Sequence, residues 1–208
     1  EENLGFGRGN NLGMRYAKGK YFFLLNSDTI VLNNIIKDLF DFAESNPQLK
    51  IGALGTLLLD KQHRVVHSFG RFLSGSFFLY QDKLYQRILI QRNTELKFFE
   101  VECVSGAALF VSREVVSNVG TFDPKFFMYY EENDWEKRMS KAGYSNYILN
   151  KSGIIHLDGA SFSNKLSKYK YSLVQESRWI YAKKHLKGFS YLFFYIVMKG
   201  FRIIDFFR

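Results

Sequence analysis

Tyr21-Phe22-Phe23-Leu24-Leu25-Asn26-Ser27-Asp28-Thr29 is the stretch that decides the fold. Five apolar residues in an unbroken run, with no polar alternation, suit a strand covered on both faces. The run stops at Asn26-Ser27-Asp28, so polar groups gather at the strand's C-terminal end, which in open α/β sheets is the end that binds ligands. Upstream, Asn3-Leu4-Gly5-Phe6-Gly7-Arg8-Gly9-Asn10-Asn11 carries glycine at alternating positions and reads as a loop that opens into a helix over 12–17. Downstream, Ile35, Ile36, Leu39, Phe40, Phe42 and Ala43 recur at helical spacing over 33–44, closed by Ser45-Asn46-Pro47, and 51–59 reads as a second buried strand.

Beyond it, 60–97 is a mixed excursion with hairpin character, containing Gly70, Gly75 and many aromatics. Strand-like runs at 100–104 and 107–111 flank Ser105-Gly106, and 113–119 is a short helix ended by Gly120. Phe122-Asp123-Pro124 is a turn, 130–142 is helical up to Gly143, and a strand over 146–149 leads through Ile154-Ile155 to His156. Residues 169–184 are again helical, rich in Tyr, Lys and Arg, and an aromatic segment fills 189–207. With no internal repeat and no low-complexity linker, the chain divides into a domain over 1–165 and a C-terminal helical appendage over 166–208.

Composition narrows the function class. The 208 residues are 47% hydrophobic and 24% charged, which suits a packed core and excludes a disordered chain. A net charge of +9 suits a protein that meets anions: nucleic acid, phosphate-bearing substrates or an acidic bilayer. The single cysteine, Cys103, excludes an intrachain disulfide framework and reads as a buried inert thiol in a reducing compartment. The chain opens with no initiator Met, no basic n-region and no apolar h-region. Its first feature is already a loop of the kind that follows a strand, so the expectation is that an N-terminal part precedes Glu1.

Three polar clusters could carry chemistry. Asp28 in Asn26-Ser27-Asp28-Thr29 could ligate magnesium or manganese, which take hard oxygen ligands and draw several of them from phosphates and water; an Asx-capped turn explains the same residues. Tyr129-Tyr130-Glu131-Glu132-Asn133-Asp134 opens a helix with three acids, which complement the helix dipole. The adjacent carboxylates also repel, which favours a proton on one of them and suits a general base near neutral pH. His156, at a strand end before Leu157-Asp158-Gly159-Ala160-Ser161, is either a structural histidine or a ligand. His63, His67 and His185 are given no role.

Taken in order, these pieces resemble glycosyltransferase family 2, especially its rhamnosyltransferase-like members that decorate bacterial cell-surface polysaccharides. The resemblance runs over about residues 3–161 as a motif in several parts: the glycine-rich opening, Leu25-Asn26-Ser27-Asp28-Thr29, Ser105-Gly106-Ala107-Ala108-Leu109-Phe110, Val119-Gly120-Thr121-Phe122-Asp123, the acidic piece with Trp135, Arg138 and Gly143-Tyr144, and His156 to Ser161. It implies a GT-A type α/β fold, a mostly parallel sheet flanked by helices, here without its first strand–helix units. It also implies Mg2+ or Mn2+ as cofactor, with Asp28 the last acid of a D-x-D type motif whose first acid is replaced by Asn26, and His156 completing the metal and diphosphate site. Arg8, Gly9 and Asn10 resemble the loop near the donor's nucleotide and phosphates. Glu131-Glu132 matches the family's Glu-Asp, whose second member is the catalytic base; Glu132 is one methylene longer, and a displacement of about 1 Å costs on the order of a hundredfold in rate. Asp134 and Arg138 match further family positions, with structural or acceptor-site roles.

The activity so implied is inverting transfer from a nucleotide-sugar donor, dTDP-rhamnose or a UDP-sugar, to a glycan or lipid-linked acceptor in surface polysaccharide synthesis. The last segment, 188–208, is apolar but punctuated by Lys199, Arg202 and Asp205, and its unbroken run falls short of the about 20 residues a spanning helix needs. It reads as an interfacial helix, with the protein at the cytoplasmic face of the cell membrane; a core-packing helix is the alternative. Two rival readings are a truncated, inactive remnant and a basic nucleic-acid-binding module. No nucleic-acid motif accompanies the charge, and Glu131, Glu132 and Asp134 repel phosphate, so no nucleic-acid partner is expected.

Overall fold

A computed structural model describes residues 3–74, 82–157 and 168–206. In chain order its elements are α1 (Phe6–Tyr16), β1 (Tyr21–Leu25), β2 (Thr29–Val31), α2 (Ile35–Ser45), β3 (Ile51–Leu59), β4 (Phe69–Gly70), α3 (Asp82–Arg92), β5 (Phe98–Val101), β6 (Cys103–Val104), β7 (Ala108–Ser112), α4 (Arg113–Val119), α5 (Glu131–Lys141), β8 (Ser145–His156), α6 (Lys168–His185) and α7 (Gly188–Phe206).

The central sheet runs β1-β7-β3-β8-β2, and β5 joins β8 beside β2. Its middle pair, β3 with β8, is parallel, while the β1–β7, β3–β7, β2–β8 and β5–β8 pairs are antiparallel, so the sheet is mixed. β3 is apolar without alternation because helices cover both of its faces. Leu54 and Leu58 meet Ile35 and Leu39 of α2 on one face, and Ala53 and Leu57 meet Trp135 and Met139 of α5 on the other. This sandwich is the α/β arrangement expected from the unbroken apolar runs.

Three expectations are revised. The glycine-rich opening is helical from Phe6, not a loop up to Asn11. Gly7 lies so close to Phe122 that a Cβ would come within 3.1 Å of the phenylalanine Cβ, and Asn11 bonds both the N–H and the carbonyl of Phe122. Tertiary contact thereby outweighs the poor helix propensity of glycine, about 1 kcal/mol per residue. Within 60–97 a tight turn does form, with Asp60 accepting from the Gln62 and Arg64 amides, but 82–92 is helix α3. The expected strand at 146–149 is the first part of the 12-residue β8, which reaches His156 through shifts in its register with β3. Gly75, the motif residues Asp158, Gly159, Ala160 and Ser161, and the boundary expected at 165/166 lie outside the described residues.

At the C-terminal end Tyr181 and Ala182 of α6 and Phe194 and Met198 of α7 form a third apolar cluster with Phe126 and Leu73. No described helix is long and apolar enough to cross a membrane.

Candidate active site

Sheet register brings the distant polar pieces together. Thr29 of β2 pairs with His156 of β8, and the Leu157 amide donates to the Asp28 carbonyl at 2.9 Å. Asp28 and His156, far apart in sequence, therefore converge, with Oδ1 and Nε2 3.3 Å apart. Asn26, held by its amide to the Ala107 carbonyl, places Nδ2 3.5 Å from the same His156 nitrogen. The hydroxyl of Thr29 closes the turn onto the Asn26 carbonyl.

This cluster forms one wall of a cavity of about 570 Å³, whose lining includes Asn3, Gly9, Asn10, Asn26, Asp28, Gly106, Tyr129, Glu131, Glu132, His156 and Lys170. The volume is in the range of small-molecule sites, about 300–1,000 Å³. The start of α1 closes one side. Gly5 stands at φ 80°, and a Cβ there would lie 2.1 Å from the Phe127 carbonyl oxygen, which also accepts from the Phe6 amide. Only glycine permits that approach.

A second part of the lining is the start of α5, where Tyr129 and Tyr130 are consecutive left-handed residues, φ 72° and 66°. Each costs about 1–2 kcal/mol, and contacts from α6 hold the turn: Ser177 Oγ donates to the Met128 carbonyl and Arg178 Nε to the Tyr130 hydroxyl, at 2.8 and 2.9 Å. The turn delivers Glu131, which is buried, and Glu132, which is half-buried against Gly106. One oxygen of each, Oε2, is shielded from solvent with no hydrogen-bond partner among the described residues. Burial holds both carboxyls above the usual carboxylate range, and repulsion from Glu132 pushes Glu131 further up.

Behind the cavity the same helix is fully paired. Asp134 Oδ1 accepts from His185 Nε2 at 2.7 Å and Lys184 Nζ at 2.8 Å, and Oδ2 accepts from Arg138 Nε at 3.0 Å. Burial alone would raise its pKa; the His185 and Lys184 hydrogen bonds and the Arg138 charge outweigh it and leave Asp134 at about 2. The other Arg138 nitrogens cap the Val119 and Thr121 carbonyls. Cys103 is the buried thiol expected, 2.6 Å from Glu136 Oε2, and burial pushes it well above its ordinary value.

Of the residues singled out in the sequence, Gly9, Asn10, Asn26, Asp28, Glu131, Glu132 and His156 meet at the cavity. Arg8 does not: its Nε donates to the Pro124 carbonyl. It points that way because residue 8, expected in a loop, is the third residue of α1, and helical phase separates it from Gly9 and Asn10. Asp134 and Arg138 lie outside the lining, paired with each other. Sequence pattern alone does not single out Lys170 or His185. Lys170 is one of several lysines in a run whose helical face is not readable, and the pairing of His185 with Asp134 spans two elements.

The sequence matches the profile of the family described as "Glycosyltransferase like family 2" over residues 1–182. Over 53 residues it is 36% identical to N-acetylglucosaminyl-diphospho-decaprenol L-rhamnosyltransferase of Mycobacterium tuberculosis, in two strains; the match covers 26% of this chain and 17% of that enzyme. Among solved structures, GalNAc-T7 with UDP, GalNAc and Mn2+ superimposes with a TM-score of 0.55 at 15% identity, over 75% of this chain and 30% of the other, a likeness of fold. The aligned part is thus a small fraction of the length of each of these proteins.

Proposed function

This chain belongs to glycosyltransferase family 2, and on that premise we propose that it transfers a sugar, with inversion, from a nucleotide-sugar donor to a hydroxyl of a glycan or lipid-linked acceptor. The observation that carries the reading is a single cavity with a ligand pair on one wall, Asp28 and His156, and two under-satisfied carboxylates on the other, Glu131 and Glu132. In the mechanism we infer, Glu132 takes the proton of the acceptor hydroxyl as that oxygen attacks the anomeric carbon, and burial of its carboxyl raises its proton affinity for that task. Asn10 and Asn26 orient the donor by hydrogen bonds.

Asp28 and His156 fit a divalent ion. Metal–ligand distances of about 2.1 Å set neighbouring ligands about 3 Å apart, close to the 3.3 Å seen here. Two protein ligands suit an ion that takes the rest of its shell from phosphates and water. Magnesium or manganese held by these two residues would supply positive charge for a diphosphate leaving group. The rhamnosyltransferase match favours a rhamnosyl donor, for which the family resemblance implies dTDP-rhamnose, and a UDP-sugar is the alternative. Calorimetric titration with UDP and dTDP, with and without Mn2+, separates them. Metal-dependent binding that disappears in Asp28→Ala is the expected result; equal binding by the variant removes Asp28 from the metal site.

We also place the protein at the cytoplasmic membrane surface in surface polysaccharide synthesis. α7 buries Phe194 and Met198 and exposes Phe189, Leu192 and Ile196, with Lys187 and Lys199 exposed nearby. Basic groups beside an apolar stripe suit anionic lipid. Co-sedimentation with phosphatidylglycerol vesicles should drop sharply in a Leu192→Glu, Ile196→Glu variant; unchanged pelleting removes this surface as the contact.

A further inference from the structure

Lys170 enters the cavity from α6, an element that supplies no other group to the mechanism above. Its ammonium lies 5.9 Å from the centre of the Tyr129 ring, on the wall that carries Glu131 and Glu132. The described lining contains three carboxylates, those of Asp28, Glu131 and Glu132, and Lys170 is the one lysine or arginine among those residues. Arg8, the other cation expected there, is turned to the Pro124 carbonyl.

A diphosphate carried into this cavity meets carboxylates of its own sign. A divalent ion held by Asp28 and His156 would offset part of that repulsion and would leave the α6 side without a counter-charge. An ammonium on a flexible stem is a point-charge phosphate binder, able to follow the group through bond breaking. The helix that carries it is pinned to the turn before α5 by Ser177 and Arg178, so Lys170 holds a defined place relative to the acids.

We propose that Lys170 is a phosphate-binding residue of this site, gripping a substrate diphosphate from α6 while the Asp28–His156 pair serves the metal ion. The proposal rests on the nucleotide-sugar reading. Two substrates could bring the diphosphate: the donor nucleotide and a lipid-linked acceptor.

The test is calorimetric titration of the whole chain in Mn2+ with UDP, dTDP and a short-chain prenyl diphosphate, comparing wild type with Lys170→Ala, Lys170→Gln and Lys170→Arg at low and high salt. The neutral variants are expected to lose about tenfold in affinity for one class of diphosphate, with a shallower salt dependence, while Lys170→Arg keeps most of it. A loss confined to the nucleotides assigns Lys170 to the donor, and one confined to the prenyl diphosphate assigns it to the acceptor. Wild-type affinity in both neutral variants overturns the proposal and leaves the transferase reading intact. A wild-type chain that binds no diphosphate overturns that reading, and the role of Lys170 with it.

Discussion

Glu131 and Glu132 enter α5 each with an oxygen that no described residue satisfies, whereas Asp134, in the same first turn, has both oxygens engaged by His185, Lys184 and Arg138. The two environments push the acids in opposite directions, the glutamates above the usual carboxylate range and Asp134 down to about 2. Helix-dipole stabilisation, which the sequence offers as the plain account of all three, applies to each alike and cannot produce that split. Buried carboxylates kept for stability are paired, because an unpaired one is costly. The pair left under-satisfied lines the cavity, where the proposed acceptor would bind.

The largest effect that tests this contrast is on turnover. Glu132→Gln removes proton acceptance while keeping shape, and general-base catalysis is worth about a hundred to ten thousandfold. Transfer measured with saturating donor should fall by that factor, with nucleotide affinity and thermal midpoint near wild type. A variant that turns over normally removes Glu132 as the base.

Asp134→Ala should show the reverse pattern. It leaves His185, Lys184 and Arg138 around an uncompensated site, and breaking a buried pair costs about 3–5 kcal/mol. Denaturant titration should report a loss of that size. A loss below about 1 kcal/mol, the level of an exposed pair, means that the network does not stabilise the fold, and the contrast between the two sets of acids collapses. The same pairing has an acid signature. Because the native pKa of Asp134 is depressed, its contribution is complete above the range where an unfolded aspartate titrates, about pH 4, and is lost as pH falls towards about 2.

The contrast also marks how far the sequence could be read. Strands 21–25 and 51–59 were legible because covered strands are apolar without interruption, and the cluster of acids was visible because it is contiguous. The meeting of Asp28 with His156 needed the β2–β8 register, which no local pattern encodes. Arg8 was misplaced because glycines suggested loop where packing on Phe122 enforces helix. His185 stayed without a role because its partner, Asp134, lies on another element.

Glu131 gives the smallest effect and the most discriminating one. Its buried carboxylate has an unpartnered oxygen and a like-charged neighbour, and an unsatisfied buried group costs about 1–3 kcal/mol. Because its native pKa is raised, the native state holds the proton more tightly than the unfolded chain, so stability falls as pH rises from the ordinary glutamate range through the native value. Glu131→Gln cannot ionise and should escape that fall, gaining about 1 kcal/mol at neutral pH and little or nothing at pH 4, where wild-type Glu131 is protonated. Thermal or denaturant unfolding at the two pH values checks it. A gain that appears only at the higher pH ties the instability to charge on the cavity wall. A loss at both means that Glu131 is a structural acid like Asp134, and that the division between substrate-facing and fold-bearing carboxylates falls at Glu132.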